Sequence, residues 1–121
     1  MFTSDLCPCG SATTYDACCG RLHRGAAQAS TPEELMRSRY SAYAVGDSDY
    51  VWRTWHPRTR PDSVELDPEL VWTGLTISGS GDHWVDFVAE YLTRDGAGEM
   101  TELSRFEMRA GRWFYVDGDL S

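Results

Sequence analysis

All four cysteines of this 121-residue chain fall within thirteen residues, Cys7-Pro-Cys9-Gly-Ser-Ala-Thr-Thr-Tyr-Asp-Ala-Cys18-Cys19. No other feature restricts the fold as sharply. Two fates compete for them. A disulfide between any two would close a loop of roughly a dozen residues or fewer and add about 3 kcal/mol at most, leaving the rest of the chain unstapled. Adjacent Cys18 and Cys19 are also awkward to bridge to each other. A soft divalent ion asks for thiolates converging tetrahedrally from two short arms, and two arms are present: Cys7-x-Cys9, eight residues, then Cys18-Cys19. The expectation is one structural zinc ion per chain held by Cys7, Cys9, Cys18 and Cys19. Free or redox-active thiols are the rival reading.

The residues between the arms suit that convergence. Pro8 stiffens the first arm and Gly10 permits the positive φ that turns the backbone. Ser11 is placed to cap a short helical turn running to Cys18, with Gly20 ending it so that both late cysteines reach one ion. Four thiolates around a dication leave a local charge of about −2, and Arg21, His23 and Arg24 follow closely enough to offset it. His23 is also a substitute ligand.

Composition bounds the rest. The length fits one domain with a small appendage, and five Trp, six Tyr and four Phe provide a bulky core. A net charge of −8 argues against a nucleic-acid backbone as the main partner. All eleven basic residues are Arg, which excludes a lysine Schiff base. Residues 1–6 lack a basic segment followed by an apolar run, and no apolar stretch approaches the roughly 20 residues of a membrane span. The expected location is the cytoplasm, where reduced thiols suit zinc.

Residues 25–30 read as a linker. Thr31-Pro32-Glu33-Glu34 is a dense helix start: Thr31 as cap, Pro32 in the first turn, Glu34 completing a capping box. That helix should run to Val45 and stop at Gly46, with Met36, Tyr40 and Tyr43 on one face. At most one of Arg37 and Arg39 is solvated, and the other pairs internally. Asp47 or Ser48 caps a second helix, Asp49 to Trp55, with Val51, Trp52 and Trp55 as its apolar side; Pro57 ends it. Residues 58–67 read as an exposed loop. The period then changes to two. Strands are expected at 70–78, with Val71, Thr73, Leu75 and Ile77 on one face, at 84–94, with Val85, Phe87, Ala89 and Tyr91 on one face, and at 100–109 and 112–117. Turns fall at 79–82, 95–98 and Ala110-Gly111. The class is α+β, helices packed on one face of an antiparallel sheet.

The run Cys-Pro-Cys-Gly-Ser, Tyr15, Cys18-Cys19-Gly20 resembles the SEC-C zinc motif found as a tail on the export motor SecA. Met36-Arg-Ser-Arg-Tyr-Ser-Ala42, Thr54-Trp-His-Pro57, Ser104-Arg-Phe106 and Gly111-Arg-Trp-Phe-Tyr-Val-Asp-Gly118 extend the resemblance over nearly the whole chain, to the YchJ-like proteins (uncharacterised protein family 0225). It implies a knuckle over residues 1–24. Residues 25–121 then form a domain similar to nuclear transport factor 2 (NTF2), a cone of helices on a curved four-stranded sheet with a pocket between. Two positions depart from the pattern. The last ligand is Cys19 where SEC-C tails often have His, and Thr101-Glu102 stands where relatives tend to carry His-Glu.

The pocket candidates are Tyr40, Tyr43, Trp55, His56, Glu102 and Arg105. His56 is either a general base or a structural residue tying a helix end to the sheet. Arg105 lies on the solvent face or enters the interior to meet Glu102 or Glu90. Trp84 and Trp113 are further wall candidates, and His83 beside Asp82 reads as a solvated turn. The first functional expectation is a zinc-binding interaction or adaptor protein, its partner a protein or the ribosome by analogy with SecA tails. The alternative is a small-ligand-binding protein or a dehydratase- or isomerase-like enzyme working through His56 and an acid or Tyr. The knuckle should lose its order without metal while the larger domain survives chelation.

Overall fold

A computed structural model describes residues 5–121. The elements are α1 (Cys19–His23), α2 (Pro32–Val45), α3 (Ser48–Arg53), β1 (Val71–Ser80), β2 (Trp84–Thr93), β3 (Gly96–Arg109) and β4 (Arg112–Leu120). The four strands form one antiparallel sheet in the order β1-β2-β3-β4. Helix α2 lies across its inner face. Leu35, Met36 and Tyr40 pack there against Val85, Phe87, Ala89 and Phe106, all buried.

The helix α2 starts and stops where its end signals place it. Thr31 Oγ1 accepts from the Glu34 amide at 3.1 Å, Pro32 occupies the first turn, and Gly46 ends the helix at φ 84°. The Glu34 carboxylate reaches back one residue further than a capping box requires, accepting from the Ser30 amide at 2.7 Å. Asp47 caps α3 through the Tyr50 amide. That helix is shorter than its apolar pattern suggests, ending at Arg53. Trp55 leaves the helix and forms a parallel bridge with Tyr115 of β4. Trp52 is not a core residue either: it hydrogen-bonds the Pro61 carbonyl, and the Arg60 guanidinium lies 3.7 Å from its ring centroid. The segment after Pro57 is therefore pinned at its start, with Thr59 Oγ1 donating to the Val116 carbonyl.

In the sheet, β2 alternates as its sequence implies, with Val85, Phe87 and Ala89 inward. Strand β1 departs from strict alternation. Register shifts between Trp72 and Gly74 and between Ile77 and Gly79 turn Trp72, Leu75 and Ile77 to the core and leave Val71 56% exposed. The 95–98 turn contracts to Arg94-Asp95, because Thr93 already pairs with Gly96. Gly98 becomes a strand residue covered by the Tyr91 ring, where a Cβ would meet the ring at 2.7 Å. Ala110 and Gly111 form the expected tight hairpin, at φ 52° and 79°.

From Asp5 to Cys18 the backbone is turns and bends with one isolated antiparallel bridge, Leu6 with Thr14. No helix runs from Ser11 to Cys18; α1 begins at Cys19, so Gly20 opens this helix rather than ending one. Its missing side chain is needed for a close approach: a Cβ there would meet the Tyr15 carbonyl oxygen at 2.7 Å.

Candidate functional site

Two crossings of the chain bring the cysteines together. In the first, Cys7 N–H donates to the Thr13 carbonyl at 2.8 Å, and Gly10 N–H returns to the Cys7 carbonyl at 3.2 Å with φ 83°. This tight loop turns Cys7 and Cys9 to one side. In the second, the Tyr15 carbonyl accepts from both the Cys18 and Gly20 amides, at 3.1 and 2.8 Å. That pair of hydrogen bonds holds Cys18 and Cys19 at the mouth of α1. Their Sγ atoms and those of Cys7 and Cys9 lie within 4.8 Å of one another. The individual approaches include Cys9 to Cys18 at 3.7 Å and Cys18 to Cys19 at 4.0 Å. A tetrahedron with metal–sulfur bonds of about 2.3 Å has edges of about 3.8 Å, so the donor set fits a four-thiolate ion. All four cysteines are free of disulfides.

Electrostatics point the same way. Hydrogen bonds from Cys19 and Cys9 pull the Cys7 thiol far below its ordinary value, while the same grouping pushes Cys19 far up. Burial raises Cys18. One thiolate suppresses ionisation of its neighbours, and four become thiolates together only against a cation. The knuckle's basic residues do not supply that charge in the expected way. Arg21 pairs with Glu34, and Arg24 with Asp16. Arg37 of α2 approaches instead, donating from Nη1 to the Cys9 carbonyl at 2.7 Å. Ser41 Oγ, fully buried, touches Cys7 Sγ at 3.5 Å. Both residues lie on the helix, where periodicity marked core and not ligand support.

His23 is occupied elsewhere and does not join the cluster. Its Nε2 lies 2.8 Å from the Ser38 carbonyl, which can only accept, so Nε2 carries the proton and Nδ1 accepts from the Tyr15 hydroxyl. Burial lowers its pKa and keeps this tautomer neutral.

Between α2 and the sheet lies a cavity of about 270 Å³. Four of the pocket candidates, Tyr40, Tyr43, Trp55 and Glu102, line it together with Arg39, Trp72 and Tyr115. His56 does not. It is buried outside the cavity, its amide bonded to the Tyr115 carbonyl and its Nδ1 accepting from the Arg58 amide at 3.0 Å. That is the structural role of tying the α3 exit to β4. Arg105 is also displaced from the interior. With Ser104 and Phe106 inward, alternation sends it to the outer face, where it bridges Asp117 and Asp119 at 2.7 and 2.9 Å. Glu102 meets it nowhere, and Glu90 lies against Gly74. Trp84 is exposed on the outer sheet, and Trp113 lies at the sheet edge beside His83, with ring centroids 5.4 Å apart.

The cavity's charged residue is one that periodicity only half marked. Arg39 follows Met36 by three and precedes Tyr43 by four, which puts it on their face. It is 5% exposed, its Nη1 donating to the Val51 carbonyl and Thr54 Oγ1, both at 2.8 Å. Its guanidinium carbon sits 4.6 Å from the Tyr115 ring centroid and 5.3 Å from that of Trp55. Glu102 Oε2 accepts from the Ser104 and Tyr115 hydroxyls and lies against Gly118.

Comparison with known proteins agrees with these two parts. Residues 31–118 match the family model described as the YchJ middle NTF2-like domain, and residues 4–21 match the SEC-C motif. A UPF0225 protein of Streptomyces coelicolor is 50% identical over 117 residues, covering 93% of this chain and 94% of its own. One from Deinococcus radiodurans is 49% identical over 112 residues, covering 92% and 86%. Among solved structures, a SEC-C motif containing protein from Rhodopseudomonas palustris superposes with a TM-score of 0.83 at 35% identity, covering 95% of this chain and 98% of its own. Another, from Psychrobacter arcticus, gives 0.79 at 26% identity, covering 100% and 86%.

Proposed function

The chain belongs to the YchJ-like UPF0225 family, a SEC-C motif followed by the YchJ middle NTF2-like domain, and on that premise we propose that it is a zinc-ordered interaction protein of the cytoplasm. Cys7, Cys9, Cys18 and Cys19 hold one zinc ion per chain. The mutual approach of their sulfurs within 4.8 Å carries this reading. When bound, the ion supplies shape and not reactivity, because four thiolates fill its coordination and leave no place for water. The ordered knuckle presents exposed Ser11 to Thr14, with the Leu6 side chain 64% exposed beside them, to a protein or ribosomal partner of the kind SecA tails contact. Among the described residues no helix is long and apolar enough to cross a membrane.

Elemental analysis of freshly purified, reduced protein is expected to find one zinc per chain in the wild type and well below one in Cys18→Ser. Absence of metal from the wild type sinks the reading. Affinity capture with intact and Cys19→Ser protein tests the interaction half, and a partner retained equally by both removes the knuckle as its contact.

A second reading draws on the cavity, which suits a small ligand. It favours binding over dehydratase or isomerase chemistry, since His56, the base that such chemistry would use, is buried outside the cavity and the Glu102 carboxylate is engaged by two hydroxyls.

A further inference from the structure

The cavity between α2 and the sheet contains one cation and one anion that do not touch. Arg39 is 95% buried by its 5% exposure, and among the described residues no carboxylate lies within 4 Å of its guanidinium. A guanidinium so placed is costly unless its donors and its charge are met. Its hydrogen bonds run from Nη1 alone, to a backbone carbonyl and a threonine hydroxyl that are both neutral, and the Tyr115 and Trp55 ring faces meet its charge without a counter-ion. Glu102 lines the same cavity and is held on the β3–β4 side by Ser104 and Tyr115. It attracts Arg39 across the space without contact. The same cavity is walled by Met36, Tyr40, Trp72, Phe87 and Met100.

We propose that this cavity binds a small, net-neutral molecule with a flat apolar body and an amide-like edge, its carbonyl accepting from Arg39 and its N–H donating to Glu102. This rests on reading the cavity as a ligand site. Neutrality follows from the fixed charges, which already sum to zero: a carboxylate ligand would face Glu102, and a cationic one would face Arg39. A zwitterion would bring two charges out of water for the same two contacts, where a neutral dipole brings none. Size follows from the volume. About 270 Å³ accepts a single ring with one substituent and excludes a nucleotide. Tyr43 keeps its phenol proton, since burial raises it, and offers a donor; Tyr115, raised likewise, already donates to Glu102, and neither adds an anion.

Benzamide, benzoate, benzamidinium and toluene share a shape and differ in charge and polarity. Titrating each into the zinc-loaded, ¹⁵N-labelled full chain reads both affinity and place. The expected result is saturable benzamide binding at least tenfold tighter than the other three, with amide shifts centred on Ala89, Met100 and Ser104. In Glu102→Gln, benzoate should gain at least tenfold relative to benzamide, because Arg39 then faces no fixed anion. Equal or tighter binding of benzoate or benzamidinium by the wild type overturns the charge argument. Toluene binding without benzamide binding overturns the ligand class while the cavity stands as a ligand site, and binding by none of the four overturns both.

Discussion

Gly20→Ala sets two physical effects against each other, and the structure decides the sign. Gly20 is the second residue of α1, where alanine gains at most about 1 kcal/mol over glycine. Its backbone is ordinary, so no strain at positive φ stands in the way. The opposition comes from Tyr15: the new methyl would sit 2.7 Å from its carbonyl oxygen and 3.0 and 3.2 Å from two ring carbons. The oxygen belongs to the backbone and cannot swing aside. It accepts from the Cys18 and Gly20 amides, each bond contributing about 1 kcal/mol, so a shift of some tenths of an ångström weakens both. Overpacking of this kind costs about 1–3 kcal/mol. Adding the weakened bonds and subtracting the helix gain leaves a net loss of about 1–3 kcal/mol. For a chain of this size that lowers Tm by about 5–15 °C. Because the same carbonyl positions Cys18 and Cys19, zinc should also pass more readily to a chromophoric chelator. Gly46→Ala is the control: Gly46 has open space around it and φ 84°, so alanine there costs stability through strain alone and leaves zinc retention unchanged. A Gly20→Ala protein as stable as the wild type, or equal to it in zinc retention, would refute the reasoning.

Zinc removal should lower hydrogen-exchange protection in α2 before the strands; loss of all sheet protection together would contradict it. Ala110→Asn should stabilise by about 0.5–1 kcal/mol, because Ala110 sits at φ 52° and asparagine tolerates that region, with urea denaturation as the check. Arg105 holds the Asp119 carboxyl below its ordinary 3.8. A depressed acid stabilises above its unfolded pKa and loses that contribution as pH falls through the folded one, so the pairing weakens only below pH 3.8. In Arg105→Gln, the NMR titration midpoint of Asp119 should rise towards 3.8, and an unchanged midpoint would place the arginine elsewhere.

Local signals that act through one or two residues were legible in the sequence. Thr31, Pro32 and Gly46 bounded α2 to the residue, and Ala110-Gly111 marked its hairpin, because caps and two-residue turns depend on neighbours in the chain. The cysteine cluster was legible for the same reason: its arms span only thirteen residues. Features set by distant partners were not. The β1 bulges answer to β2 and reverse the face on which Val71 lies. Trp55 follows Tyr115 rather than its own helix. Arg105 is a different case, since plain alternation from buried Ser104 and Phe106 places it outside, and only a recurring run in relatives suggested the interior. Arg39 was half legible: opposite sides of the helix marked one of Arg37 and Arg39 as internal, but which one, and that it would face a cavity, depended on the sheet.

The two sites are joined by the faces of α2. Arg37, Ser38 and Ser41 turn to the knuckle, meeting the Cys9 carbonyl, His23 Nε2 and Cys7 Sγ. Met36, Arg39, Tyr40 and Tyr43 turn to the cavity. Ser38 is a shared post, because its hydroxyl also meets Tyr50, whose ring packs tilted against His23 at a centroid distance of 4.6 Å. Without the proposed ion, the knuckle's own backbone bonds would be too few to hold a loop of this length, and its partners on α2 would be left facing water or nothing. Leu75 of β1 would lose its packing on the cysteines, but the strands would keep their ladder and Phe106 its burial, so the sheet as a whole has no reason to open. What changes is the support behind the helix that carries Arg39, which is why α2 should lose protection first. Mechanically, the knuckle is the outer buttress of α2.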